Sequence, residues 1–161
     1  MTTSVSELMI EAGQKARAAS RRMAAASTAD KNKVLLRLAE LLEAKKEDIF
    51  AANEQDLVRA KKTGLKESFV DRLRVTEKVL RLMAEGARQT AALPDPVGEI
   101  SEIRRRPSGI QVGRMRVPLG VLGIIYESRP NVTVDAACLA VKSGNACILR
   151  GGSEAFETNR I

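Results

Sequence analysis

The sequence predicts an α/β fold: a helical N-terminal region, a β-hairpin, and the opening strand–helix–strand unit of a parallel sheet that the chain does not complete. Three observations carry this. Apolar residues recur at helical spacing as far as Leu93. After Leu93-Pro94-Asp95-Pro96 the period shifts to two. Two short apolar runs, Leu119 to Tyr126 and Ala146 to Leu149, then flank a helix-like segment. The boundaries read as 1–93 (helical region), 94–117 (hairpin) and 118–161 (start of the sheet).

The helices follow in order. Ser4 or Ser6 caps a first helix with Leu8, Ala12, Ala16 and Ala19 along its apolar side, an Ala-rich face that permits close approach and buries little area. Ser27 and Thr28 start a second, with Asp30 placed where negative charge suits a helix start. Its stripe is Val34, Leu35, Leu38, Leu41 and Leu42, and the Lys45–Asp48 run interrupts it. A third periodic segment runs from Ile49 through Leu57 and stops at Gly64 after Lys61 and Lys62. Phe69, Val70 and Leu73 mark a short helix, and Thr76 begins the last of this region, through Leu80, Met83 and Ala87.

The two prolines at 94 and 96 end the helical region. Two alternating segments, 99–103 and 110–117, joined by Pro107-Ser108-Gly109, read as a hairpin with one apolar and one basic face. Leu119 to Tyr126 reads as a strand buried on both faces. A helix capped by Asn131 follows, with Val134, Cys138 and Val141 on one side, ending at Gly144. Ala146 to Leu149 is a second, parallel strand, and Ser153 is placed to cap a further helix.

Composition excludes several functions. Aromatic residues are 2% of 161, with no Trp, so no aromatic platform for single-stranded nucleic acid exists. There is no His, which removes His-based triads, His metal sites and His general bases. Two Cys make neither a zinc site nor a disulfide scaffold, and no metal is expected. Val117 to Tyr126 is too short for a membrane span and holds Pro118, Gly120 and Gly123. With no apolar signal core at the N-terminus, a cytoplasmic location is the expectation. The net charge of +7 is spread among interspersed acids. Its one dense run, Arg104-Arg105-Arg106 beside Arg114 and Arg116, is better read as a solvated hairpin surface than as a nucleic-acid patch.

Two blocks could carry chemistry. Tyr126-Glu127-Ser128-Arg129-Pro130-Asn131 gathers a carboxylate, a hydroxyl, a guanidinium and an amide at the carboxyl end of the first parallel strand, the edge where open α/β sheets bind ligands. Capping by Asn131 and pairing of Glu127 with Arg129 account for the same residues without chemistry. Arg150-Gly151-Gly152-Ser153 lies at the carboxyl end of the second strand, where two glycines and a helix start could seat an anion or simply make a tight loop. Cys138 and Cys147 fall on buried positions and read as packing residues with raised pKa.

Arg116 to Ala137, which contains Tyr126-Glu127-Ser128-Arg129-Pro130-Asn131-Val132-Thr133, resembles the gamma-glutamyl phosphate reductase family of the aldehyde dehydrogenase superfamily. So does Lys142 to Ala155, with Arg150-Gly151-Gly152-Ser153-Glu154. Asn53-Glu54-Gln55-Asp56 and Asp71-Arg72-Leu73 extend the resemblance toward the N-terminus. It implies an aldehyde-dehydrogenase-like fold, of which the chain holds the N-terminal helices, the hairpin and the first β-α-β unit of a Rossmann-like NADP(H)-binding domain. The implied activity is NADPH-dependent reduction of L-glutamyl 5-phosphate to L-glutamate 5-semialdehyde with release of phosphate, a step of proline biosynthesis. In such families a Cys thiolate displaces phosphate and hydride reduces the resulting thioester.

Carried onto this sequence, Asn131 matches the amide that stabilises the oxyanion. Arg150, with Gly151, Gly152, Ser153 and Glu154, falls on the cofactor side, and the Arg150 guanidinium suits a 2′-phosphate. Glu127 and Arg129 are candidates for the glutamyl end. Implied partners are the small-molecule substrate, glutamate 5-kinase as a functional associate, and further copies of the full-length chain. The family's catalytic Cys lies downstream of Ile161, so the 161-residue chain alone is expected to be inactive. Two other readings stand beside this one: a basic helical binding module, and a non-catalytic remnant that associates through the hairpin.

Overall fold

Residues 4–161 are described by a computed structural model. Ser4 caps α1 (Val5–Ala24): its hydroxyl accepts from the Glu7 N–H at 3.2 Å, and the Glu7 carboxylate accepts from the Ser4 N–H at 2.7 Å. Two orphan donors are thereby satisfied reciprocally, which decides between Ser4 and Ser6. The helix buries Ala16 and Ser20; Ala19 is exposed, one position off the expected stripe. Ser27 caps α2 (Thr28–Ala44), and α3 (Lys46–Lys62) follows after Lys45 alone. The expected four-residue break shrinks to one because Glu47 and Asp48 occupy the first turn of α3, where negative charge opposes the helix dipole. Gly64, at φ +70°, takes the left-handed conformation that ends this helix. α4 (Glu67–Leu73) is short, and Thr76 caps α5 (Glu77–Ala92).

The main core forms where α2, α5 and α6 (Pro130–Lys142) meet. Leu35, Ala39 and Leu42 pack on Leu80, Met83, Ala84 and Ala87, with Cys138 from α6. The buried line on α2 is narrower than its apolar content: Val34 and Leu41 face outward. The alanines of α5 replace the missing aromatic bulk by letting three helices approach closely. A second cluster joins Leu57, Ala60, Val70 and Leu73 to Ala155 near the C-terminus.

The proline-flanked linker is clamped from both sides. Lys31, 2% exposed, donates to both oxygens of Asp95 at 2.9 and 3.1 Å. Asp95 also accepts from the Thr28 hydroxyl at 2.7 Å and the Val97 N–H at 3.0 Å. Burial would raise this carboxyl; the Lys31, Thr28 and Val97 donors outweigh it and lower it from 3.8 to about 2. A depressed folded-state value adds stability above pH 3.8, and that stability is lost as pH falls toward 2. Urea midpoints should show this: the advantage of the wild type over Asp95→Asn, clear at pH 7, narrows through that acid range. A gap that stays constant with pH would show that the carboxylate charge is not what holds the linker.

β1 (Ile100–Arg105) and β2 (Gln111–Met115) form the expected antiparallel hairpin. A bulge between Ser101 and Arg104, with Glu102 at φ 55°, breaks strict alternation. Ile100 and Ile103 therefore converge on one spot, and a Cβ on Gly113 would meet them at 3.3 and 3.2 Å. Every residue of both strands is exposed.

β3 (Val121–Ile125) and β4 (Ala146–Arg150) pair in parallel, in register from Val121 with Ala146 to Ile125 with Arg150. α6 connects them, and α1 packs against both. β3 is not buried on both faces as its apolar run suggests: Gly123 and Ile125 are exposed, because among the described residues no further strand joins the pair and the covering helices reach only part of it.

No α-helix follows β4. Two 3-10 turns, Ser153–Ala155 and Thr158–Arg160, stand there, and Ser153 caps nothing. The reason lies on α3. Asp56, fully buried, accepts from the N–H groups of Glu157 and Thr158 at 3.1 and 2.8 Å and from the Thr158 hydroxyl at 2.7 Å. Those N–H groups are taken from the helical ladder and given to a side chain 101 and 102 residues away. None of the described helices is long and apolar enough to cross a membrane.

Candidate functional site

The carboxyl ends of β3 and β4 open into a cleft of about 510 Å³. Its apolar wall is Leu65, Phe69 and Ile125, the last 80% exposed. Its charged lining is Arg72, Glu127, Arg150 and Glu154. Parallel pairing delivers both candidate blocks to one edge, since Ile125 lies opposite Arg150.

The charges are partitioned. Glu127 pairs with Arg72 at 3.3 Å and Arg129 at 3.6 Å, so the expected Glu127–Arg129 pair exists and is shared with α4. Glu154 accepts a hydrogen bond from the Ser128 hydroxyl. That bond holds its carboxyl below the usual carboxylate range, and the Arg150 charge adds to the effect against the cost of burial. Among the described residues, Arg150 has no carboxylate within ion-pair distance.

Both glycines of the β4 loop are closely packed by neighbouring side chains. A Cβ at Gly151 would lie 2.7 Å from the Asn159 amide nitrogen and 3.1 Å from the Tyr126 hydroxyl. At Gly152 it would collide with the Ser128 hydroxyl. The tight-loop reading thus accounts for both glycines, and the helix start expected to favour an anion is absent. A relay supports the loop from behind: Tyr126 and Thr133 hydroxyls lie 2.7 Å apart, and Thr133 donates to Asn159 at 2.8 Å.

Asn131 does not cap α6. Pro130 takes the first helical position, Arg129 stands at the cap without a side-chain bond, and the Asn131 amide donates weakly to Asp135 at 3.4 Å. Glu127, Arg150, Gly152 and Glu154 therefore meet in one cleft, whereas Arg129, Asn131, Gly151 and Ser153 lie outside its lining. Arg72 and Ser128 are cleft residues given no role from sequence. Arg72 reaches the site from α4, 53 residues upstream of the end of β3, and only the Asp71-Arg72-Leu73 resemblance pointed near it. Burial, with some help from Asp135, pushes the Cys138 thiol up to about 11, and burial also raises Cys147. Cys138 is buried as expected of a packing residue, whereas Cys147 is only half-buried.

The lining offers a nucleotide phosphate one guanidinium without an ion pair, Arg150, a second, Arg72, shared with Glu127, and an apolar wall for a flat ring system.

This chain belongs to the aldehyde dehydrogenase family, whose model matches residues 2–158. Within that class it is similar to gamma-glutamyl phosphate reductase from Thermotoga maritima, at 43% identity and a TM-score of 0.89 over 94% of this chain and 36% of that one. The Saccharomyces cerevisiae gamma-glutamyl phosphate reductase matches at 34% and 0.89, over 99% of this chain and 40% of that one. An NAD-dependent benzaldehyde dehydrogenase from Corynebacterium glutamicum matches at 25% and 0.72, over 99% and 32%. The chain thus spans well under half the length of each. The aldehyde-dehydrogenase-like α/β fold and the family relationship agree with the reading from sequence.

Proposed function

We propose that this chain supplies the nucleotide-binding side and the oxyanion amide of an NADPH-dependent reductase that converts L-glutamyl 5-phosphate to L-glutamate 5-semialdehyde. The observation that carries the reading is Arg150, an uncommitted cation at the carboxyl end of β4, in a chain 43% identical to a gamma-glutamyl phosphate reductase. Bound NADPH supplies the hydride. Arg150 takes the 2′-phosphate, and Leu65, Phe69 and Ile125 cover a flat ring. Gly151, Gly152 and Ser153 shape the loop, and Glu154 sits at its floor. Glu127 and Arg129 contribute to holding the glutamyl end. Burial raises both thiols of this chain, which favours packing roles for them, and the 161-residue chain alone is expected to show no reductase activity. Residues 118–161 begin the nucleotide-binding domain. The exposed Ile100, Ile103, Val112 and Met115 favour association of full-length copies through the hairpin. A cytoplasmic setting and a functional association with glutamate 5-kinase complete the proposal.

Asn131 is the residue that separates a reductase from a mere nucleotide binder. Its amide is held only weakly by Asp135 and is available to a developing oxyanion. In a full-length reductase carrying these residues, Asn131→Ala lowers kcat on the order of 10²-fold and leaves NADPH affinity nearly unchanged. A near-normal kcat would remove Asn131 from the chemistry.

A further inference from the structure

The cleft holds two carboxylates and two guanidinia, and their pairing is uneven. Glu127 is taken by Arg72 and Arg129. Glu154 and Arg150 line the same cleft, four residues apart across the glycine loop, yet they do not form an ion pair. Glu154 is engaged instead by Ser128. Its hydroxyl donates to Glu154 across the bare backbone of Gly152, at a spot where any side chain on residue 152 would collide with it.

We propose that Ser128 is a positioning residue that keeps Arg150 available: by occupying the Glu154 carboxylate, it stops that carboxylate from pairing with Arg150. The proposal rests on the nucleotide reading above for its purpose, but its geometry stands without it. Ser128 need touch no ligand. Gly152 belongs to the same device, because it leaves the corridor through which the hydroxyl reaches the carboxylate. Without the hydroxyl, the Glu154 carboxylate loses its strongest donor and keeps only its own N–H and the Ser153 hydroxyl, and Arg150 is the cleft cation not already engaged.

Two readouts on the full chain test this. The first needs no nucleotide: the rate at which phenylglyoxal modifies Arg150, followed by peptide mass spectrometry. The second is NADPH affinity, followed by the fluorescence of the nucleotide itself. In Ser128→Ala the new Arg150–Glu154 pair slows modification and weakens NADPH, each by about fivefold, the worth of a partly exposed ion pair. Ser128→Thr, which keeps the hydroxyl, behaves as wild type. Ser128→Ala combined with Glu154→Gln restores Arg150 reactivity toward phenylglyoxal, because the competing charge is gone. A merely structural role for Ser128 would leave the double variant as impaired as the single one, and that result overturns the proposal. Equal Arg150 reactivity in wild type and Ser128→Ala overturns it as well. If reactivity follows the predicted pattern while no variant binds NADPH, the charge partition is upheld and the nucleotide reading fails.

Discussion

Asp56→Ala lowers the folding stability of the chain by about 3 to 4 kcal/mol, because it strips three donors of their acceptor in a dry interior. The Glu157 and Thr158 N–H groups and the Thr158 hydroxyl all point at this one carboxylate, which has no solvent exposure. Thr158 is also an acceptor for the Asn53 amide, which in turn donates to the Leu73 carbonyl and accepts from the Val75 N–H. The cluster therefore ties α3 to the α4–α5 junction and to the end of the chain at once. Its loss also reaches the cleft, since Asn159 follows Thr158 and supports Thr133 and Tyr126 behind the glycine loop. Asp56→Asn, which keeps one acceptor oxygen, recovers only part of the loss. Urea unfolding gives the magnitude, and amide exchange at Thr158 reports the local release. A loss below about 1 kcal/mol would mean that water replaces the carboxylate without cost, and the anchor would have no energetic role.

The same cluster shows where sequence reading stops. Caps are local chemistry, so Ser4, Ser27 and Thr76 and the left-handed Gly64 were legible from a few neighbouring residues. The parallel unit was legible because two apolar runs flank one helix. The end of the chain was not: local rules place a helix after Gly152, and a carboxylate from α3 overrides them. The bulge at Ser101 escaped for a related reason, since alternation describes a regular ladder and a single extra residue shifts it. At the cleft, Glu127, Arg150, Gly152 and Glu154 could be picked out because each lies beside a strand end. Arg72 joins them through the packing of α4, which no spacing rule foresees. Ser128 lay within a singled-out block, yet its partner is 26 residues away and is reached only through the gap at Gly152.

Arg150→Ala is the second large effect. A guanidinium that meets a phosphate makes charge-assisted, often bidentate hydrogen bonds, and removing one costs up to about 3 kcal/mol, roughly 100-fold in affinity. Among the described residues no carboxylate lies within ion-pair distance of Arg150, so little of that is lost to an internal pair. NADPH and NADH differ by a single phosphate on the adenosine ribose. If Arg150 reads that group, the substitution weakens NADPH by most of the 100-fold and leaves NADH nearly unchanged. The expected salt dependence runs the same way, steeper for NADPH in the wild type and shallow in Arg150→Ala. The central claim is that the cleft at the ends of β3 and β4 is a nucleotide site whose selectivity lies in Arg150. Its most direct test is titration of wild-type and Arg150→Ala chains with NADPH and NADH, followed by nucleotide fluorescence. The account predicts a loss confined to NADPH; an equal loss for both nucleotides, or none for either, would contradict it.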